Sequence, residues 1–494
     1  MHPRSIPAGP FEGTPATSLR GFVLAVCLGA AALLVSGCST VRPWINAPLG
    51  AEGRQPVAIT RTAVHADTLQ SSHPIIGAVT LSGGGARAAA FGLGVLQELK
   101  ATGFERQGRP TTLLDEVTLV SGVSGGSVLA TYYAAFGDEV FTRFEREFLL
   151  VKFQSGLVSQ ILAPSGLHRL TSPWWGRSDM LALRLDDLFR GVTFGELRAR
   201  RPSLRLLVTA TDLTTGAPFE FTPEQFALIC SDLDSVPLSF AVAASSAVPV
   251  LLSPMTVRNY AGTCPSTQPA ADAGMAGDNL SARLLQRIAA SYQDARERPY
   301  LHLVDGGLAD NLGVRGLVDR AVASGSLDES FRALPQGSVH HIVLVSVNSE
   351  RDLGDRIDRT DRVPGMGQVL NALLFGAGSR FIQETTAMVD DQARQLREKL
   401  HAARGRPGSP FAADAELHVI NVSLRGVRDG ALRDKVVRVP TAFEILPVHV
   451  HELQAAGRLA LRDSPEFQRL RSSLGSWAAT ETASSKCDRT ATDC

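Results

Sequence analysis

Ile76-Gly77-Ala78-Val79-Thr80-Leu81 runs without a break into Ser82-Gly83-Gly84-Gly85-Ala86-Arg87. A second junction of the same kind follows one helix later, Val117–Ser121 into Gly122-Val123-Ser124-Gly125-Gly126. A short apolar run that ends in glycines reads as a buried strand entering a tight turn. Ala86–Leu99, with Phe91, Val95, Leu96 and Leu99 at helical spacing, reads as the helix after the first turn. Working outward, Leu204–Thr209, Leu301–Val304 and His341–Val347 read as three more strands, separated by helical stretches. Strands that alternate with helices predict an α/β fold with a mostly parallel, helix-covered sheet.

The composition narrows the function. The chain has 494 residues with 49 Lys+Arg against 49 Asp+Glu, a formal charge of zero. A protein that binds nucleic acid by counterion release carries a basic excess, so no nucleic-acid partner is expected. Hydrophobic residues make up 44% and charged residues 20%, which supplies a sizeable core and excludes wholesale disorder.

The N-terminus reads as a targeting segment. Arg4 and Arg20 precede the apolar run Gly21–Ser36, which is short for a bilayer span and suits a signal sequence. The run ends in Val35-Ser36-Gly37-Cys38, which resembles the bacterial lipobox, where the signal is cut before a cysteine that is then lipidated. Residues 1–37 are therefore expected to be a lipoprotein signal peptide and Cys38 a lipid anchor, holding the protein to a membrane of the bacterial envelope. Ser39 follows, not an aspartate, which by analogy with lipoprotein sorting in enteric bacteria favours the outer membrane. Residues 38–74 read as a polar tether. Cys230 with Cys264, and Cys487 with Cys494, can form disulfides in an oxidising compartment or stand as free thiols. The cysteine spacing fits no metal site.

Three segments carry chemistry. Gly83-Gly84-Gly85 lies where a strand meets a helix, so bare backbone and unpaired N–H groups face a ligand. Gly83-x-Gly85-x-x-Ala88 also fits a dinucleotide fingerprint, but that motif wants an acidic residue ending the next strand, and Asp115 and Glu116 precede it instead. Gly122-Val123-Ser124-Gly125-Gly126 fits G-x-S-x-G, the strained elbow that exposes a nucleophilic serine. Asp305-Gly306-Gly307 follows a strand, where an aspartate would lie on the ligand-binding edge of a parallel sheet; Asp-Gly is equally a common turn. Asp310 and Asn311 suit the cap of a following helix.

In this order and strand context, G-G-G-x-R, G-x-S-G-G and D-G-G resemble the patatin-like phospholipase family. Val242–Pro249, VAASSAVP, and Thr209–Gly216, TATDLTTG, also look like elements of that family. The resemblance implies a three-layer α/β/α catalytic domain over 75–348. Residues 349–474 would be a helical extension packed on that core, and 475–494 a flexible tail. It further implies a lipid acyl hydrolase of the carboxylic-ester type, with membrane lipids as substrate and no cofactor or metal. Ser124 would be the nucleophile and Asp305 its base, with the oxyanion on N–H groups of Gly83, Gly84, Gly85 and Gly125. Arg87 would support the glycine loop or meet an anionic head group. His302, His340, His341, His401, His418, His449 and His451 are expected to be structural or exposed, with a triad through one of them the alternative to the dyad that the resemblance implies. Trp174 and Trp175 read as core packing or as a lip at a membrane surface. An esterase or protease-like serine hydrolase with a non-phospholipid substrate is the alternative.

Overall fold

The computed structural model describes residues 39–50, 74–106, 108–264, 280–323, 331, 334–350, 361–372 and 377–475. Cys38, the signal segment, Cys487, Cys494 and the C-terminal tail lie outside the described residues.

One eight-stranded sheet organises the chain. Its strands are β1 (Ile75–Leu81), β2 (Val117–Val123), β3 (Arg205–Asp212), β4 (Pro218–Glu220), β5 (Met255–Arg258), β6 (Tyr300–Val304), β7 (Val339–Asn348) and β8 (Phe411–Ser423). They lie in the order β8-β7-β1-β2-β3-β6-β5, with β4 paired to β3. The five strands from β8 to β3 are parallel. The fold is therefore α/β with a mostly parallel sheet, as the alternating pattern predicts.

Helices cover both faces, which makes the architecture three-layered. On β7, Val343, Val345 and Val347 join the main core while Leu344 faces the opposite layer, the alternation that a strand with two buried faces requires. Helices α1 (Gly85–Ala101), α2 (Gly125–Phe136) and α3 (Leu238–Ser245) belong to the main-core side. Helix α4 (Arg315–Ala323) and helix α5 (Ala377–Ala403) pack on the other, through Val318, Ile382 and Val389. Helix α6 (Pro447–Arg462) returns to the first side and packs along α1. Residues beyond 349 are thus more than a cap on a finished core, because β8 completes the edge of the sheet beside β7.

Two features depart from the sequence reading. Strand β6 is not parallel: it pairs antiparallel with β3 through Thr211–Val304 and Asp212–Leu303. Strand β3 runs past the end of β2, whose last pair is Val123–Thr209, so β6 descends along that overhang and delivers Asp305 to the same edge from the opposite direction. The first part of the expected tether is also fixed to the domain. The Ser39 N–H donates to Thr171 Oγ1 at 3.1 Å, Trp44 packs on Phe240 with ring centroids 4.6 Å apart, and buried Asn46 bonds Ser231 and Arg258. A disulfide joins Cys230 to Cys264, and the Cys230 carbonyl accepts the Leu49 N–H at 2.8 Å.

Candidate active site

Ser124 occupies the turn between β2 and α2 with φ 49° and ψ −123°. A non-glycine residue in that region is strained, and such strain persists only where the surroundings impose it. The surroundings here are glycine backbones. A side chain on Gly125 would collide with the backbone of Gly85, and one on Gly126 with the carbonyls of Leu81 and Ser82. The elbow therefore nests directly against the glycine loop.

The Ser124 hydroxyl donates to Asp305 Oδ2 at 2.8 Å, and the Gly307 N–H donates to Asp305 Oδ1 at 2.8 Å. Both side chains are largely buried. Burial pushes the Asp305 carboxyl up to about 6, against the opposing pull of the Gly307 and Ser124 hydrogen bonds. A carboxylate so placed can take a proton near neutral pH. The glycines after Asp305 are explained by contact. A Cβ on Gly306 would strike the Thr209 carbonyl, and one on Gly307 would lie 3.0 Å from Asp305 Oδ1.

The glycine loop opens α1 beside Ser124. Gly84 has φ 142° and Gly85 φ 61°, conformations that disfavour a side chain. Among the described residues, the N–H groups of Gly84, Gly85 and Gly125 have no hydrogen-bond acceptor, as expected at the first positions of two helices. Gly83 differs from the sequence expectation: its N–H is committed to the Asn311 carbonyl at 3.1 Å. It lines the site as a side-chain-free wall, since an added Cβ would lie 3.4 Å from the Ser124 Cβ.

Arg87 is buried, and its guanidinium donates to the carbonyls of Ser349 at 3.0 Å and Val439 at 2.9 Å. Ser349 in turn donates from Oγ to the Gly83 carbonyl at 2.8 Å. Arg87 is placed to brace the loop, and its bonds to carbonyls leave the head-group role without support.

Sequence reasoning assigned no role to Ser245, which the structure places at the centre of the framework. Its hydroxyl accepts the Ser124 N–H at 2.8 Å and donates to the Thr209 carbonyl at 2.6 Å. The Ser245 and Ala247 carbonyls accept the N–H groups of Gly306 and Asp305 at 3.1 and 3.0 Å. Thr211 adds a donor to the Asp305 carbonyl at 2.8 Å. The available signal was the segment Val242–Pro249 itself. Asp310 is a cap, accepting the N–H groups of Leu312, Gly313 and Arg315.

Several of the described histidines have other engagements. His302 Nδ1 lies 3.1 Å from Thr256 Oγ1, His340 Nδ1 2.8 Å from Asp414, and His451 Nε2 3.1 Å from Glu145. His341 is buried at the opposite sheet edge, where desolvation holds its imidazole down to about 4. Trp174 is half-exposed under the Arg42 guanidinium at 3.9 Å, whereas Trp175 packs on the core.

Residues 79–318 match the family described as patatin-like phospholipase. The chain carries a patatin-like phospholipase domain. Among solved structures, human GIVD cytosolic phospholipase A2 is similar at 15% identity and a TM-score of 0.43, with 86% of this chain and 66% of that chain covered. VipD from Legionella pneumophila is similar at 14% identity and a TM-score of 0.28, with 82% of this chain and 67% of that one covered. The chain thus spans about two thirds of the length of these proteins. No curated protein sequence matches it. The Ser124 elbow and the Asp305 turn both fall inside the patatin-like region.

Proposed function

We propose that the patatin-like domain hydrolyses carboxylic esters of lipids through a Ser124–Asp305 dyad. The observation that carries this reading is the 2.8 Å hydrogen bond from the strained Ser124 hydroxyl to the buried Asp305 carboxylate. Ser124 Oγ attacks the ester carbonyl and Asp305 takes its proton. The developing oxyanion is received by the N–H groups of Gly84, Gly85 and Gly125, with Gly83 serving as wall. Collapse of the intermediate expels the alcohol, which recovers the proton from Asp305, and leaves an acyl-Ser124. Asp305 then takes a proton from a water that attacks the acyl carbon, and returns it to the leaving Ser124 Oγ as the fatty acid departs.

Two observations favour a lipid over a small soluble ester. Val250 and Leu251 are 61% and 65% exposed, three and four positions beyond Ala247, whose carbonyl holds the Asp305 N–H. Val250 also has φ 73°, a costly backbone for a β-branched residue, which turns that apolar tip outward. Purified protein assayed on phospholipid, lysophospholipid, neutral lipid, soluble short-chain ester and peptide tests the assignment. Fatty-acid release that is far faster from dispersed lipid than from the soluble ester supports it, while hydrolysis confined to the soluble ester or peptide contradicts it.

The lipobox-like Val35–Cys38 supports anchoring through a lipidated Cys38, with the outer membrane as destination. Because Ser39 is bonded to Thr171, such an anchor would enter the membrane beside the domain, near half-exposed Trp174. Among the described residues no helix is long and apolar enough to cross a membrane. Cell fractionation of Cys38→Ala is the test: release of the variant supports the anchor, and unchanged membrane attachment contradicts it.

A further inference from the structure

We propose that His341, Glu416 and His418 form a binding site for a divalent transition-metal ion of the zinc type, at the sheet edge remote from Ser124. Strands β7 and β8 are parallel and in register, with His341 beside Glu416. Register partners on parallel strands share a face, and His418 lies two residues on from Glu416, so all three side chains project to one side. One ligand atom from each lies within 4.8 Å of the others.

The arrangement of His418 is the informative part. Its Nδ1 lies 3.0 Å from Glu466 Oε1, and its Nε2 lies 3.1 Å from Glu416 Oε2. A metal-bound histidine characteristically gives its second nitrogen to a carboxylate, which fixes the ring and aims the free nitrogen at the ion. Glu466 is positioned for that task. It is oriented in turn by Arg469, and Ser473 Oγ donates to Glu416 Oε2 at 2.6 Å. Two ligands at ~2.0–2.1 Å from a tetrahedral ion lie about 3.3 Å apart, close to the present spacing of His418 and Glu416. Two imidazoles with one carboxylate make a donor set suited to zinc and unlike the all-oxygen sets of calcium or magnesium. The fourth position would face the open groove lined by Arg397, His401 and Arg404.

The ligands come from two strands and their support from the helix over 465–475, so no sequence spacing announces the site. A bound ion would tie the last strand of the sheet to that C-terminal helix, independently of the ester chemistry.

The test is zinc titration of the purified, chelator-stripped full chain, read by competition with a chromophoric chelator and by thermal unfolding. One zinc per chain is expected, with a rise in Tm. Glu416→Gln, at a half-exposed position that tolerates the change, should weaken binding at least tenfold. Glu466→Gln should weaken it about 10–100-fold through loss of ligand orientation. Cys487→Ser/Cys494→Ser and Ser124→Ala should bind zinc like wild type. Absence of stoichiometric zinc in folded wild-type protein, or unchanged binding in both Glu variants, would overturn the proposal. So would loss of binding in the tail-cysteine variant.

Discussion

The hydroxyl of Ser245 links Ser124 to β3, accepting the Ser124 N–H at 2.8 Å while donating to the Thr209 carbonyl at 2.6 Å. The strained elbow is therefore held from behind by a side chain on the helix that also receives the Asp305 turn.

Replacing Ser245 with Ala should orphan a buried N–H and a buried carbonyl, at a cost of about 1–3 kcal/mol in stability. Turnover should fall with little change in KM, because the damage is to the aim of the nucleophile. Ser245→Thr, which retains the hydroxyl, should recover part of the loss. Denaturant unfolding with steady-state kinetics checks this; wild-type kcat in Ser245→Ala would refute the positioning role.

Asp305 ties activity to stability with opposite signs. Its carboxyl is raised from 3.8 to about 6 by folding, so the folded state holds the proton more tightly than the unfolded chain. That burden is absent below about pH 4, grows as pH rises, and is complete above about pH 6. Hydrolysis, which needs the ionised base, should climb over the same range and level off. Asp305→Asn should lose turnover by several orders of magnitude yet unfold less readily at pH 8 than wild type, by on the order of 1–3 kcal/mol. A pH–rate profile flat between about 4 and about 8, or a destabilised Asn variant, would count against the carboxylate base.

The Cys230–Cys264 bridge closes a loop of sequence separation 34, which in the chain-entropy view stabilises by about 3–4 kcal/mol. Cys264→Ser should lower Tm substantially. Ester hydrolysis below the new transition should persist, because the bridge supports the strap at Asn46–Leu49 rather than the Ser124 elbow. Calorimetry and activity on one preparation decide it; unchanged Tm is the contrary result.

Placing Asp at Val250 or Leu251 should impair hydrolysis of lipid in vesicles while sparing a soluble short-chain ester. Both side chains are mostly exposed, so the fold should tolerate the charge. Equal losses on the two substrates would show that the tip serves the site's structure and not the lipid surface.

The sequence made the elbow and glycine loop legible because their residue types are demanded locally: Gly84 at φ 142° and Gly85 at φ 61° disfavour a side chain. What escaped it depends on partners far along the chain. Gly83 looked like an oxyanion donor until Asn311 claimed its N–H, and Ser245 had a motif but no visible partner. Strand β6 has the same apolar pattern whichever way it runs, so its antiparallel pairing and the descent of Asp305 along the overhang of β3 had no local signature. Ser39–Leu49 read as tether because its contacts are scattered polar bonds and one aromatic pair, with no periodicity. The place of β8 beside β7 likewise belongs to the whole sheet and not to any local pattern.

The central claim is that Ser124 is the nucleophile, and labelling with a fluorophosphonate followed by peptide mass mapping tests it directly. One covalent adduct is expected, on the peptide containing Ser124, formed in wild type and absent in a folded Ser124→Ala variant. Asp305→Asn should label far more slowly. An adduct on another residue, or equal labelling of Ser124→Ala and wild type, would contradict it.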